Sequence, residues 1–144
     1  MRLFVYGTLR RGGALHAGIA AHVLGAYPAE TGGAIVRLPE GYPALLPGRG
    51  GRVVGEVLVL DTARALRIAD EIEACPPGAP GRTGELGYRR VRRRVRRLDT
   101  GEQVAAWRYE LAPEARGRAA ARGRPIPGGD WIAANNGRTG DVER

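Results

Sequence analysis

Tyr88-Arg89-Arg90-Val91-Arg92-Arg93-Arg94-Val95-Arg96-Arg97-Leu98 can be read in two ways. Tyr88, Val91, Val95 and Leu98 are spaced three, four and three apart, which is the seam of a basic amphipathic helix. The residues that follow argue against a helix. Asp99-Thr100-Gly101-Glu102 has turn chemistry, and beyond it Ala105, Trp107, Tyr109 and Leu111 alternate as a half-buried strand does. Two strands about a Gly-containing turn make a hairpin. That choice makes the chain a mixture of strands and helices rather than a helical bundle.

Working outward, Arg52-Val53-Val54-Gly55-Glu56-Val57-Leu58-Val59-Leu60 is the best strand, rich in β-branched residues. Asp61 and Thr62 follow as N-cap candidates for a helix over about 62–73. Its apolar stripe runs through Ala65, Ile68 and Ile72, widened by Leu66 and Ala69. Pro76-Pro77-Gly78-Ala79-Pro80-Gly81 then forces an irregular loop. Upstream, Met1 to Val5 is an apolar run of strand length that ends in Tyr6-Gly7-Thr8-Leu9 and a Gly-rich turn. Leu15, Ile19 and Val23 predict a short helix over 14–24 that ends near Gly25. Residues 34–38 read as a strand, and 41–47 as a short extended piece that its prolines confine to an edge or turn. Residues 114–122 suit one helix, weakened by Gly117. Residues 125–130 form a turn, and Trp131-Ile132 is the last apolar anchor. The expectation is one domain over residues 1–134, with 135–144 a frayed tail.

With 144 residues, 43% of them hydrophobic, the chain can bury a real core. Its one cysteine, Cys75, excludes an internal disulfide framework and argues against a structural zinc cluster. The expected setting is the cytoplasm, with no membrane span, since no apolar run reaches roughly 18 residues. All 23 basic residues are arginine, and the net charge is +8. Genome composition accounts for that bias better than a chosen partner does. A second reading has the arginine hairpin over 89–97 track a phosphate backbone as a non-catalytic nucleic-acid-binding module. The scarcity of aromatic stacking residues there makes it the weaker one.

Few residues offer chemistry. Glu73 ends the helix next to a Pro/Gly loop, and Asp70 lies three residues before it on the same helical face. Two close carboxylates can drive their pKa values apart and leave one as a usable base. Cys75 reads as a small packed residue. His16 and His22, six apart, do not share a helical face, so no metal site is expected. Glu56 reads as the outward partner of an alternating strand. Tyr6 and Tyr109 lie on apolar strands. Glycine at position 7 lets backbone approach a ligand closely, and strand-end N–H groups can hold an anion or oxyanion.

Taken in order, Val5-Tyr6-Gly7-Thr8-Leu9-Arg10-Arg11-Gly12, Gly41-Tyr42-Pro43-Ala44-Leu45, Val54-Gly55-Glu56-Val57, Ala69-Asp70-Glu71-Ile72-Glu73-Ala74, Tyr88-Arg89-Arg90-Val91 and Ala106-Trp107-Arg108-Tyr109 resemble the gamma-glutamylcyclotransferase-like family. The likeness is to the small branch that includes the gamma-glutamylamine cyclotransferases and many bacterial members. It implies an α+β fold, a small mixed β-barrel flanked by helices, with the pocket in the barrel mouth. It also implies a small-molecule gamma-glutamyl substrate, no cofactor and no metal. By the same resemblance Glu73 is the catalytic acid/base, and Tyr6, Gly7, Thr8, Leu9 and Tyr109 contact substrate. The expected reaction releases 5-oxoproline. A small-molecule binding protein on the same fold is the remaining alternative. The chain departs from the family pattern at Ala69 and Ala74, where the family often has Leu and Gly. It departs again in the long segments 76–87 and 113–130, where substrate preference is expected to reside.

Overall fold

The computed structural model describes residues 1–48 and 50–136. Five strands close into a barrel: β1 (Arg2–Val5), β2 (Val23–Gly32), β5 (Arg52–Leu60), β6 (Tyr88–Arg97) and β7 (Gln103–Leu111), in the order β1-β5-β2-β6-β7. β1 and β7 close the barrel in parallel at Leu3 and Trp107, and the other neighbours pair antiparallel. A second sheet holds β3 (Ala34–Arg37), β4 (Pro43–Leu46) and β8 (Arg124–Pro125), in the order β4-β3-β8. Among the described residues three α-helices complete the fold: α1 (Ala63–Ile72), α2 (Pro113–Arg122) and α3 (Trp131–Asn136). The arginine segment is therefore a strand. Tyr88 pairs with Leu111 and Arg96 with Gln103 in an unbroken antiparallel register.

The alternation of strand side chains feeds two cores. Leu3 and Val5 of β1, with Leu58 and Leu60 of β5, meet Ala65, Leu66 and Ala69 of α1. Phe4 and Tyr6, pointing the other way, join Val53, Val57, Val95 and Ala106. The α1 stripe is the one its spacing predicts, and its buried edge also includes Asp70. At Gly55 a Cβ would lie 2.2 Å from the Val5 carbonyl oxygen, so only glycine lets β5 cross β1 there.

The expected helix over 14–24 is absent. Two single 3₁₀ turns, His16–Gly18 and Ala20–His22, occupy that stretch, and β2 begins at Val23. Ile19 is buried, but Leu15 is 43% exposed and Val23 is recruited into a ladder with β5 that continues to Gly32. A nine-pair ladder outweighs the two or three apolar contacts a short helix would make. β4 is an edge strand, as its prolines suggest, yet all four of its residues are buried. Trp131 opens α3. Asn135, expected to begin a frayed tail, lies in α3 and accepts a hydrogen bond from Arg37. The rest of the expected tail, from residue 137 on, lies outside the described residues.

Candidate active site

β1 ends at Val5, and the chain then turns through Gly7, Thr8 and Leu9 into a loop fastened from several sides. Thr8 and Leu9 carbonyls accept from the Leu15 N–H (2.9 Å) and pair with His16 Nδ1 (2.8 Å). Arg10 reaches Asp130 at 2.7 Å, and the Arg11 backbone and side chain both bond Glu56. Glu56 is thus not the outward residue its strand position suggests. It is 7% exposed and ties β5 to the loop. Gly7 is needed for close approach, but to protein: a Cβ there would sit 2.6 Å from Pro43 Cγ of β4.

This loop forms one wall of a cavity of about 280 Å³. Tyr6, Gly7, Thr8, Leu9, Glu73 and Tyr109 all line it, so every site residue expected from the sequence converges on one space. Tyr88, Tyr42 and Leu86 line it too and were not expected as site residues. Tyr88 opens the Tyr-Arg pair quoted above, but nothing in local sequence says that its hydroxyl donates to the Pro43 carbonyl at 2.6 Å.

Glu73 follows the last turn of α1. The helix ends in a two-bond motif, with Ala74 N–H donating to the Glu71 carbonyl (3.1 Å) and Cys75 N–H to the Asp70 carbonyl (2.8 Å). Ala74 takes φ of 55°, the left-handed conformation that favours glycine. The helix therefore stops at Glu73 and delivers its side chain to the cavity. Burial pushes the Glu73 carboxyl up to about 7. Among the described residues it has no hydrogen bond or ion pair. Its charge lies close enough to Tyr6, Tyr88 and Tyr109 to raise each of them further, after the larger effect of their own burial.

Asp70 plays a different part from the one its spacing suggests. Its carboxylate accepts Arg90 Nε at 2.7 Å and Nη2 at 3.1 Å, the Tyr109 hydroxyl at 2.8 Å and the Gly78 N–H at 2.9 Å. A guanidinium neutralises it, so it is not the partner that drives Glu73 upward; desolvation alone does that. Asp70 instead holds Tyr109 in place and clamps the start of the 76–87 loop. The Tyr6 hydroxyl donates to the Tyr109 carbonyl at 2.8 Å, which joins β1 to β7 behind the cavity. Both tyrosine protons are committed, and both phenols sit well above their ordinary range, chiefly through burial. Cys75 is buried and packed as expected; burial first, and the charges of Asp70 and Glu73 next, push its thiol up to about 12. It carries no thiolate for nucleophilic work near neutral pH.

Residues 3–133 match the family described as gamma-glutamyl cyclotransferase, AIG2-like. The chain belongs to that family. Over 88 residues it is 40% identical to the gamma-glutamylaminecyclotransferase of Bos taurus, a match that covers 51% of this chain and 49% of the bovine one. The chain thus spans about half the length of that curated relative. Among solved structures, YkqA from Bacillus subtilis shares the fold at a TM-score of 0.64 and 23% identity, covering 92% of this chain and 39% of YkqA. An uncharacterized Pyrococcus horikoshii protein matches at a TM-score of 0.59 and 26% identity, covering 92% of this chain and 91% of its own. An Arabidopsis thaliana protein solved in solution gives a TM-score of 0.60 at 25% identity, covering 79% and 70%. No helix among the described residues is long and apolar enough to cross a membrane.

Proposed function

We propose that this family member is a cyclotransferase that releases 5-oxoproline from a gamma-glutamyl amide, with Glu73 as general acid and base. One observation carries the reading: a carboxyl with no hydrogen-bond or ion-pair partner among the described residues, its pKa pushed up to about 7 by burial, faces a cavity walled by the Tyr6–Leu9 loop. A base poised near the working pH is the form that proton transfer favours.

The substrate supplies its own nucleophile. Its α-amine attacks the γ-carbonyl carbon, the ring N–C bond forms, and Glu73 takes the amine proton. The tetrahedral centre then collapses, the bond to the leaving nitrogen breaks, and Glu73 returns the same proton to the departing amine. The step balances without water or a second reactant. N–H groups of Gly7, Thr8 and Leu9 are the assigned donors for substrate oxygen, where charge develops as the carbonyl becomes tetrahedral. The four ion-pair and carbonyl ties on the loop keep those donors fixed. Tyr6, Tyr88 and Tyr109 shape the cavity and force the substrate to fold on itself, an orientation effect worth several kcal/mol.

Replacing Glu73 by Gln tests this. Release of 5-oxoproline from gamma-glutamyl methylamide, followed by mass spectrometry, is expected to fall about 10²–10⁴-fold. In the unaltered protein kcat/KM is expected to rise with pH through about 7 as Glu73 ionises. Wild-type turnover by the Gln variant removes Glu73 from the mechanism.

A further inference from the structure

The segment 113–130 ends in a turn that presses against the barrel and reaches the loop after β1. Ile126 N–H donates to the Ile35 carbonyl at 3.1 Å, just beyond the pairing of β8 with β3, and Gly129 N–H closes on the Ile126 carbonyl at 3.0 Å. Gly128 and Gly129 have φ of 75° and 68°, in the left-handed region that glycine enters freely. At Gly129 a Cβ would also collide with the Arg52 carbonyl of β5, so only glycine seats the turn this deep. Asp130 follows at once. Its Oδ1 accepts Arg10 Nη1 at 2.7 Å and the Ala133 N–H of α3 at 3.0 Å. Partial burial pushes the Asp130 carboxyl up, but those two bonds outweigh it and hold the group below its ordinary value.

We propose that Asp130 is a positioning residue: through Arg10 it fixes the turn whose N–H groups are assigned to substrate oxygen. The inference rests on the cyclotransferase reading above. Arg10 N–H donates to the Gly7 carbonyl at 3.0 Å, so Gly7, Thr8 and Leu9 belong to a single turn that Arg10 closes. Anchoring the Arg10 side chain therefore sets where that turn points. Neither Arg10 nor Asp130 lines the cavity, so both act through the backbone and not by contact with substrate. The Arg10 and Asp130 side chains are 15% and 27% exposed, and Arg10 Nε is buried without a hydrogen-bond partner among the described residues. A desolvated, unpaired N–H is a cost that an ordinary surface ion pair does not carry. The next residue is held from another side, since Arg11 N–H and Nε both bond Glu56 of β5. The loop is thus pinned at consecutive residues to two different elements, and cutting one tie leaves it free to pivot on the other.

Arg10→Met and Asp130→Ser cut the tie from opposite ends. Met keeps an apolar stem, and Ser still caps the Ala133 N–H, so neither change undoes α3. With gamma-glutamyl methylamide each is expected to lower kcat about 10–100-fold and to leave KM within about threefold, because the displaced donors act on charge that develops only in the transition state. The double variant is expected to be no slower than the slower single one, since both remove the same interaction. The pH midpoint of kcat/KM, set by Glu73, is expected to stay at about 7. Hydrogen–deuterium exchange gives a reading that needs no turnover: amides of residues 7–15 are expected to exchange several-fold faster in both single variants, with those of β5 unchanged. Asp99→Asn, which removes a more exposed ion pair at the β6–β7 turn, is expected to alter neither measurement. Unaltered kcat in either single variant, a loss through KM alone, multiplied losses in the double variant, or unchanged exchange over residues 7–15 overturns the assignment and leaves the cyclotransferase reading intact. If the unaltered protein releases no 5-oxoproline from gamma-glutamyl methylamide or gamma-glutamylalanine, that reading fails instead. Exchange then decides the tie by itself: faster exchange over residues 7–15 in both variants keeps Asp130 as the residue that holds the loop, and unchanged exchange removes it.

Discussion

Glu73 carries the proposed chemistry at a cost to the fold. An unfolded Glu titrates near 4.5, whereas burial lifts the folded carboxyl to about 7. Between those values the folded state binds a proton that the unfolded state has released, so stability falls as pH rises from about 4.5 to about 7. The loss is complete above 7 and is at most about 3 kcal/mol, since each pKa unit corresponds to about 1.4 kcal/mol. Gln at position 73 carries no charge and escapes the penalty. Urea midpoints are therefore expected to favour Glu73→Gln over the unaltered protein at pH 8 and to converge below pH 4.5. Parallel pH profiles for the two proteins would mean that the carboxyl is solvated rather than buried. Asp70, three residues earlier, shows the contrast: it is more completely buried but has four bonds, two of them a two-point contact with one guanidinium. Spacing placed both acids on one face. What separates their roles is Arg90, twenty residues later, and only the fold brings it near.

At the level of elements, α1 was readable because its apolar positions follow helical spacing; β7 was readable as a strand, but Ala105 of its expected inward face is exposed and Ala106, Arg108 and Glu110 on the other face are buried. β2 was not. Gly25, Pro28 and Gly32 break up its pattern, and only Tyr27, Ala29 and Thr31 keep an inward alternation. Pro28 is tolerated in a strand with neighbours on both sides because β6 joins β2 only at Ala29 and Glu30. The end of α1 shows a subtler effect. Ala74 departs from the family's usual glycine, and the structure gives it the one positive φ of a non-glycine residue among those described. An L-residue there costs about 1–2 kcal/mol, and restoring glycine returns roughly 0.4–1 kcal/mol of that as unfolded-chain entropy. Ala74→Gly is expected to stabilise the protein by about 0.5–1 kcal/mol, read as a higher urea midpoint with an unchanged slope. Lower stability would show that the alanine methyl makes packing contacts worth more than the strain. The loop that follows leaves no such room at Gly84, where a Cβ would lie 1.9 Å from the Ala74 carbonyl oxygen. Packing of the 76–87 loop onto the helix end thus fixes the backbone that presents Glu73.

Across the whole molecule the arginine run is largely engaged in ion pairs, with Arg90 buried and Arg92, Arg93, Arg94 and Arg96 exposed. Of the seven arginines over 89–97, Arg90 binds Asp70, Arg89 and Arg93 bind Glu110, Arg96 binds Glu30, and Arg97 binds Asp99. Glu110 is fully buried, and Arg108 and Arg116 also reach it. Burial pushes the Glu110 carboxyl up, but the bond from Arg108 and the surrounding guanidiniums outweigh it and hold the group below its ordinary value. Arg90 and Arg92 lie over Trp107, and Arg97 over Tyr27. Apart from Arg97–Asp99 and Arg108–Glu110, each two residues apart, these pairs are not visible in the sequence, where the run looks like one basic stripe. A phosphate backbone would find chiefly Arg92 and Arg94 unengaged by carboxylates. Counterion release then predicts a log–log salt slope of about −2 for duplex DNA, against about −6 if all seven arginines were free. Fluorescence anisotropy of a labelled 20-base-pair duplex between 50 and 200 mM salt is the measurement. A steep slope, abolished by changing Arg92, Arg94 and Arg96 to Gln, would restore the nucleic-acid reading. A shallow slope, with 5-oxoproline release intact in that triple variant, assigns the arginines to the fold: Arg89, Arg90 and Arg93 neutralise the buried Asp70 and Glu110, and Arg96 and Arg97 pair with Glu30 and Asp99 nearer the surface.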